Sequence, residues 1–575
     1  MPPYLLVSPP GLGIDPRQPQ TLILIATVVN VPKSQRQSRQ SAGLHRPAGS
    51  SYSGAMKPTD PFALPAAEFF QRFRGESLTF DDLHVLQPRT IDFGIPEVDL
   101  GTRITRNIRI KTPLVASPME DISEHQLAIA VALQGFPAVI HYNLTIEEQA
   151  AQVRRVKRFE NGFVQDPITL GPEDPISRAV EIQEETGIST LPIVEGRKLV
   201  GLLTKNDYSG MKHAQRRVKE RMAPLERLRH QIAHLSELPA DDAARLAKAN
   251  DLLLESHAGV LLIVTDAGEI DSLVTRTDIE KSEAFPDSIK DRNDSLVVGA
   301  AVPTGSGEVR ERVRELVNAG VDFLCVDSSH GNSLHERQAL EHIKGEYPKI
   351  DVIYGNVAEA RGALTGIEWG ADAIRVGKGV GSICSTSQVS LGTRSQITAT
   401  YSCALAVREY CRQHRIQPAI PVISDGGYGT FSAIGKGLLF ADAIMLGSML
   451  AGTDEAPGEV VYDRQGRKLK AYKGMGSLEA ARRGSAARYD VSNFEAFVAE
   501  GVVGSVRAKG PVSRWVPQIK TGIRKCLQSL GFRDLASLHE AVFAGEVLLE
   551  RMSEAGKKEA GIHDLVEYTR DLPLD

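Results

Sequence analysis

The segment RVGKGVGSICST, residues 375–386, combines residue types that could do chemistry. Gly377, Gly379 and Gly381 alternate directly after an apolar run. Glycine tolerates the backbone conformations that turn carbonyls and amides toward a ligand. Ser382 and Cys384 follow on the same loop. A thiolate is the reactive form of cysteine, and amide donors in such a loop help to stabilise it, so Cys384 reads as a nucleophile. The other four cysteines read differently. Cys325 lies within an apolar run, and Cys403 and Cys411 fall on one helix-like stretch, as small buried hydrophobes do. Cys526 lies in an amphipathic segment and carries no motif.

Two further places suit a phosphate. Asp425-Gly426-Gly427 and Gly447-Ser448 each end an apolar run. Backbone N–H groups at such ends bind anions, Ser448 can donate a hydroxyl, and Asp425 could accept from a sugar hydroxyl. Tight turns and a helix cap would explain either site singly; the pair favours a phosphorylated ligand. Beyond them, AYKGMGS at 471–477 and an Arg- and Ala-rich stretch to Tyr489 read as a long loop, either a mobile lid or a disordered connection. Arg488 and Tyr489 stand out little by type alone. Residue chemistry alone ends at a sulfur nucleophile beside a phosphate site.

Elements must position these groups. Short apolar runs recur at 113–117, 137–141, 296–301, 323–327, 352–356, 373–377, 421–425 and 443–448, most ending in Gly, Ser, Asp or Asn. Continuous apolar runs of strand length suit parallel strands buried on both faces. Amphipathic stretches such as 309–319 and 431–440 lie between them, so strands and helices alternate. Eight such units predict a (β/α)8 barrel, whose active site forms at the C-terminal ends of the strands and whose last two strand ends commonly hold phosphate. An open doubly wound sheet is the alternative.

The second and third runs are about 150 residues apart, far beyond an ordinary crossover. The intervening chain repeats itself. LPIVEGRKLVGLLTKND at 191–207 and LIVTDAGEIDSLVTRTD at 262–278 each read as strand, charged turn, strand and Thr-x-x-Asp opening a helix. Thr204 and Thr275 suit helix caps, with Asp207 and Asp278 in the first turn. Repetition predicts an inserted module, either two packed structural halves or a nucleotide-sensing pair. Between the repeats, 211–254 reads as a basic, amphipathic, helix-rich stretch.

Composition excludes other classes. The 575 residues carry a formal net charge of −5, which offers no electrostatic case for nucleic-acid binding. The longest apolar stretch, 22–31, falls far short of the roughly 18 to 20 residues of a membrane span. Five widely spaced cysteines make no disulfide framework and no zinc site. A reducing, cytoplasmic enzyme is expected. Residues 1–55, rich in Pro, Ser, Gln and Arg with the single acidic residue Asp15, read as a disordered extension. A transit peptide is the alternative there.

Taken together, LTFDDLHVLQP at 78–88, ASPM at 116–119, VDSSHGNS at 326–333, VGKGVGSICST, SDGG, LGSMLAGTDEAPGE and YKGMGS occur in the order found in IMP dehydrogenases. The sequence resembles that family over residues 68–575, and the inserted repeats resemble its pair of CBS modules. The resemblance implies oxidation of inosine monophosphate (IMP) to xanthosine monophosphate by NAD, with a potassium ion, on a homotetrameric barrel. It leaves open whether tetramers pair into octamers and whether the CBS modules take adenine or guanine nucleotides. The implied partition is barrel at 56–160, CBS modules at 161–215 and 216–290, barrel with a mobile flap at 291–535, and a tail at 536–575.

Residue by residue, the resemblance makes Cys384 the attacking group, Arg488 the base that activates water beside Tyr489, and Thr386 its helper. Free arginine is protonated far above neutral pH, so that role could not be guessed from its type. IMP would meet Ser117, Met119, Ser382, Asp425, Gly426, Gly427, Gly447, Ser448, Tyr472, Gly474, Met475, Gly476 and Glu500. NAD would meet Asp327, Ser328, Ser329, Asn356, Gly377 and Gly379. Potassium would be held by carbonyls of Gly379, Gly381 and Cys384, with Glu559, Ala560 and Gly561 from a neighbouring subunit. Three residues depart from the family pattern: Lys378, usually apolar or small; Ser395, usually proline; and Ala560, often glycine. Two rivals stand beside this reading: a GMP reductase with CBS modules, and a non-catalytic nucleotide sensor.

Overall fold

The computed structural model describes residues 60–561 except 160–162, 166, 187, 209–214, 241, 277–278, 280–283, 305–306 and 484–496. The extension expected at 1–55, Asp278, Arg488 and Tyr489 lie outside the described residues.

Eight parallel strands form one sheet: β1 (Leu114–Ala116), β2 (Val139–Ile140), β3 (Gly299–Val302), β4 (Phe323–Asp327), β5 (Asp351–Val357), β6 (Ala373–Val376), β7 (Val422–Asp425) and β8 (Ala443–Leu446). Each coincides with one of the apolar runs. Almost every residue in them is buried, as expected where helices cover one face and a packed barrel interior the other. Neighbours follow chain order, and β8 pairs with β1, placing Leu446 opposite Ala116. A parallel bridge between Ala116 and Ala138, with the Ala116 N–H donating to the Pro137 carbonyl at 3.0 Å, closes β1 on β2. The sheet is therefore a (β/α)8 barrel.

The helices follow from their sequence periods. Val309–Asn318 turns Val309, Val313 and Leu316 inward. Ile146–Lys157 starts at Thr145, whose hydroxyl accepts from Glu148 N–H at 3.1 Å while Glu148 reaches back to the Thr145 N–H. The long helix Val512–Leu530 buries Trp515, Val516, Ile519, Ile523 and Leu527, and ends at Gly531 with φ +82°. Its Trp515 indole donates to the Met449 carbonyl at 2.8 Å, which ties this helix to the turn after β8.

Between β2 and β3 the chain builds two small sheets. One contains Thr190–Glu195, Lys198–Thr204 and Ala223–Pro224; the other contains Val164–Gln165, Ile232–His234, Val260–Val264 and Ile270–Thr275. Each has its own apolar cluster, and Leu199, Leu202, Leu228, Leu262, Val264 and Leu273 form a third shared by both. The pairing cuts across a division at 215/216. Val164–Gln165 joins the sheet of the second repeat, and Ala223–Pro224 that of the first.

Three local expectations need correction. The stretch 211–254 is not helix-rich: its described part runs through single 3-10 turns and short strands before the helix Asp242–Ser256. Pro224 and Pro239 interrupt any continuous helix there, and open sheet edges capture Ala223–Pro224 and Ile232–His234. Thr204 caps only a 3-10 turn, through its N–H and hydroxyl, both donating to Asp207 Oδ2 at 2.7 Å. Thr275 ends a strand and stands directly before helical Arg276, as expected of a cap position. Finally, the long loop expected after β8 contains Lys468–Lys473, the central strand of an antiparallel sheet with Val460–Tyr462 and Val503–Arg507.

Candidate active site

The C-terminal ends of the barrel strands surround a cavity. β6 delivers Gly377 at φ +145°, its N–H donating to the Val357 carbonyl and its carbonyl accepting from Asn356 Nδ2 at 2.7 Å. A Cβ on Gly377 would come within 2.0 Å of the Asp425 carbonyl oxygen, so only glycine lets this loop cross the end of β7. Gly379 follows at φ +79°. The loop closes with the Cys384 N–H on the Gly381 carbonyl, and Thr386 opens the short helix Thr386–Val389.

Segment 500–502 stitches this loop to residues 474–477. Ser385 N–H donates to the Glu500 carbonyl and Val502 N–H to that of Ile383; Glu500 N–H donates to Gly476 and Gly474 N–H to Val502. That placement brings Glu500 toward Cys384. The Cys384 thiol donates to Thr386 Oγ1 at 3.1 Å, and the Thr386 hydroxyl donates to Glu500 Oε2 at 2.8 Å. A thiol, a hydroxyl and a carboxylate thus form a chain along which a proton can leave sulfur.

The phosphate-type ends converge opposite. Gly426 and Gly427, at φ +92° and +85°, follow Asp425, and Gly447 leads into the one-turn helix Ser448–Ala451. Tyr472 closes this corner: burial raises its phenol, a hydrogen bond with Ser382 opposes that shift, and its hydroxyl reaches Met119 Sδ at 3.8 Å. Ser117 is pinned by its N–H to the Leu446 carbonyl at the end of β8.

A buried ion cluster underlies both ends. Arg375 Nη1 is 2.7 Å from Asp327 Oδ1 and Nη2 is 2.8 Å from Asp425 Oδ2, with side-chain exposures of 4%, 0% and 14% for the three residues in that order. Asn356 Nδ2 also donates to Asp425 Oδ2, at 2.8 Å. Arg375 had no role in the sequence reading. The available signal was a charged residue inside an otherwise apolar strand, which burial obliges to find partners. Gln396 is a second omission; its Nε2 donates to the Val376 carbonyl and to Ser424 Oγ, holding β6 against β7.

Of the described residues assigned to IMP or to chemistry, all line this one cavity, from Ser117 and Met119 through Ser382, Cys384 and Thr386 to Gly474, Met475, Gly476 and Glu500. Ser328, Ser329, Asn356, Gly377, Gly379 and Gly381 line it too. Asp327 does not: its carboxylate is committed to Arg375 beneath the wall. Glu559, Ala560 and Gly561 lie elsewhere, exposed at the end of the described chain, and Ala560 borders a separate groove with His84 and Lys436. Among the described residues no group of three or more His, Cys, Asp or Glu side chains could hold a metal ion. No described helix is long and apolar enough to cross a membrane.

The thiols differ in access. Burial pushes Cys325 and Cys403 up to about 12 and raises Cys411 and Cys526, while Cys384 is half-buried on the cavity wall. Iodoacetamide on the native protein is therefore expected to alkylate Cys384 first and Cys325, Cys403 and Cys411 only after unfolding. Peptide mapping by mass spectrometry checks the order; early labelling of Cys325 would contradict the packing.

Residues 77–563 match the family described as the IMP dehydrogenase / GMP reductase domain. The sequence is 38% identical to an inosine-5'-monophosphate dehydrogenase of Toxoplasma gondii, covering 86% of this chain and 96% of that protein. It is 40% identical to those of Schizosaccharomyces pombe and Aquifex aeolicus, covering 87% of this chain and 94% and 97% of theirs. Among solved structures, Trypanosoma brucei GMP reductase in complex with guanosine 5'-monophosphate superposes with a TM-score of 0.72 at 31% identity, covering 86% of this chain and 99% of that one.

Proposed function

Because the chain belongs to the IMP dehydrogenase / GMP reductase family and is an NAD-dependent oxidoreductase, we propose that it oxidises IMP to xanthosine 5'-monophosphate through a covalent bond to Cys384. The observation that carries this reading is the chain from Cys384 Sγ through Thr386 Oγ1 to Glu500, facing the glycine-lined ends of β7 and β8 across one cavity.

The phosphate sits on the N–H groups of Gly427, Gly447 and Ser448 with the Ser382 and Tyr472 hydroxyls, and Asp425 accepts from the ribose. This places the purine over Cys384. Sγ bonds to carbon 2 as its proton leaves, and a hydride departs from the same carbon, giving a thioimidate. Bound NAD supplies the acceptor for that hydride. Water then attacks carbon 2, the sulfur leaves as thiolate, and the base yields the oxo product; Thr386 and Arg488 activate the water. IMP, NAD and water thus give xanthosine monophosphate, NADH and a proton.

The wall fits a polar cofactor: Ser329 and Asn356 line the cavity, and Ser329 Oγ and Asn356 Oδ1 are buried there without hydrogen-bond partners. Asp327 acts from beneath that wall, through Arg375. The loop also fits a potassium half-site. The Gly379 carbonyl accepts from Ser387 Oγ at 2.7 Å and that of Gly381 from Cys384 N–H, leaving each a second lone pair. Those two carbonyls and that of Cys384 would hold the ion, with Glu559, Ala560 and Gly561 contributed by a neighbouring subunit of a homotetramer.

The structural likeness to a GMP reductase keeps one rival in play. Incubation with IMP plus NAD, and separately with GMP plus NADPH, separates the two. NADH from the first pair is the expected result; NADPH oxidation with ammonia release and no NADH from IMP would overturn the proposal. Arg488→Ala is expected to slow steady-state turnover about a hundredfold while a pre-steady-state burst of NADH persists, because hydride transfer precedes hydrolysis. Loss of the burst in stopped-flow absorbance would remove Arg488 from the hydrolytic step.

A further inference from the structure

The cavity rim beside Ser328 and Ser329 carries a charge that the proposed chemistry does not use. Lys378, between Gly377 and Gly379, lines the cavity, and its Nζ lies 2.6 Å from His330 Nδ1. An ammonium only donates, so Nδ1 accepts, and His330 is neutral with its proton on Nε2. Among the described residues no carboxylate lies within ion-pair distance of Lys378 Nζ. A half-buried cation that rests on a neutral base is poorly compensated until an anion arrives.

The neighbouring groups indicate which anion. The backbone N–H of His330 donates to Ser328 Oγ at 3.2 Å, so this turn is held against Ser328. Ser329 Oγ and Asn356 Oδ1, buried and without partners, suit the hydroxyls of a ribose. In a dinucleotide, a single methylene joins that ribose to the diphosphate. We infer that Lys378, backed by His330, is the subsite for the diphosphate of the dinucleotide cofactor. The inference rests on the reading that NAD lies against Ser328, Ser329 and Asn356. A lysine serves here as a point charge, which sets cofactor affinity without touching the reacting atoms.

The test is initial-rate kinetics of the full-length protein at saturating IMP with NAD varied, for the native protein, Lys378→Met and Lys378→Arg, at low and high ionic strength. Inhibition by ADP-ribose, which keeps the diphosphate and lacks nicotinamide, is measured in parallel. Lys378→Met is expected to lower kcat/KM for NAD about tenfold or more, mostly through KM, with KM for IMP unchanged. ADP-ribose inhibition should weaken in parallel, the salt dependence should flatten, and Lys378→Arg should restore most of the loss. An unchanged kcat/KM for NAD, an equal loss for IMP, or ADP-ribose inhibition that does not weaken would each overturn the subsite. If the native protein forms no NADH from IMP, the proposed function fails first and takes the subsite with it.

Discussion

Cys384→Ala is expected to abolish NADH formation from IMP while leaving nucleotide binding within a few-fold of native. Among the described residues, Cys384 is the only cysteine that lines the cavity. Cys325 and Cys403 are buried and pushed up to about 12, so neither can substitute. The proposed phosphate and ribose contacts come from the ends of β7 and β8, Tyr472 and Ser382, none of which the truncation removes. Calorimetry for binding and absorbance for NADH separate the two effects. Turnover within about a hundredfold of native would show that the reaction does not pass through this sulfur.

Arg375→Met is expected to cost about 3–5 kcal/mol, because Asp327 and Asp425 would keep their buried charges without the guanidinium that faces both. The thermal unfolding midpoint of the intact protein should fall accordingly. In what still folds, KM should rise for IMP and NAD together, since the one cation organises the ends of β4 and β7. Adding Asp327→Asn removes one stranded charge, so the double variant should recover part of the midpoint; the coupling between the two sites is the readout. If Arg375→Met unfolds at the native midpoint, the ion cluster does not hold the strand ends.

The barrel was legible because each strand is buried on both faces and so appears as an unbroken apolar run, punctuated by the polar residues of its end. The same property made Cys384, Asp425 and Gly447 readable as strand-end chemistry. What stayed hidden depends on contacts distant in sequence. Arg375 is a charge within an otherwise apolar run, and its meaning appears only when β4 and β7 bring Asp327 and Asp425 beside it. Glu500 reaches Thr386 across 114 positions through the bonding of 500–502 to the loop that carries Cys384. Asp327 was expected to meet NAD on the family resemblance alone; the buried ion pair with Arg375 holds its carboxylate beneath the wall instead. The stretch 211–254 misled because amphipathic periodicity cannot show that neighbouring sheets have free edges to recruit short strands.

The proposed reaction requires a transient bond between one thiol and the purine. Rapid acid quench of the enzyme with IMP and NAD, followed by proteolysis and mass spectrometry, tests it directly. A peptide containing Cys384 that has lost its thiol proton and gained the nucleotide less a hydride is expected, with more of it when Arg488 is replaced by alanine. NADH formed at the native rate with every Cys384 peptide unmodified, or with the adduct on a different cysteine, would contradict it.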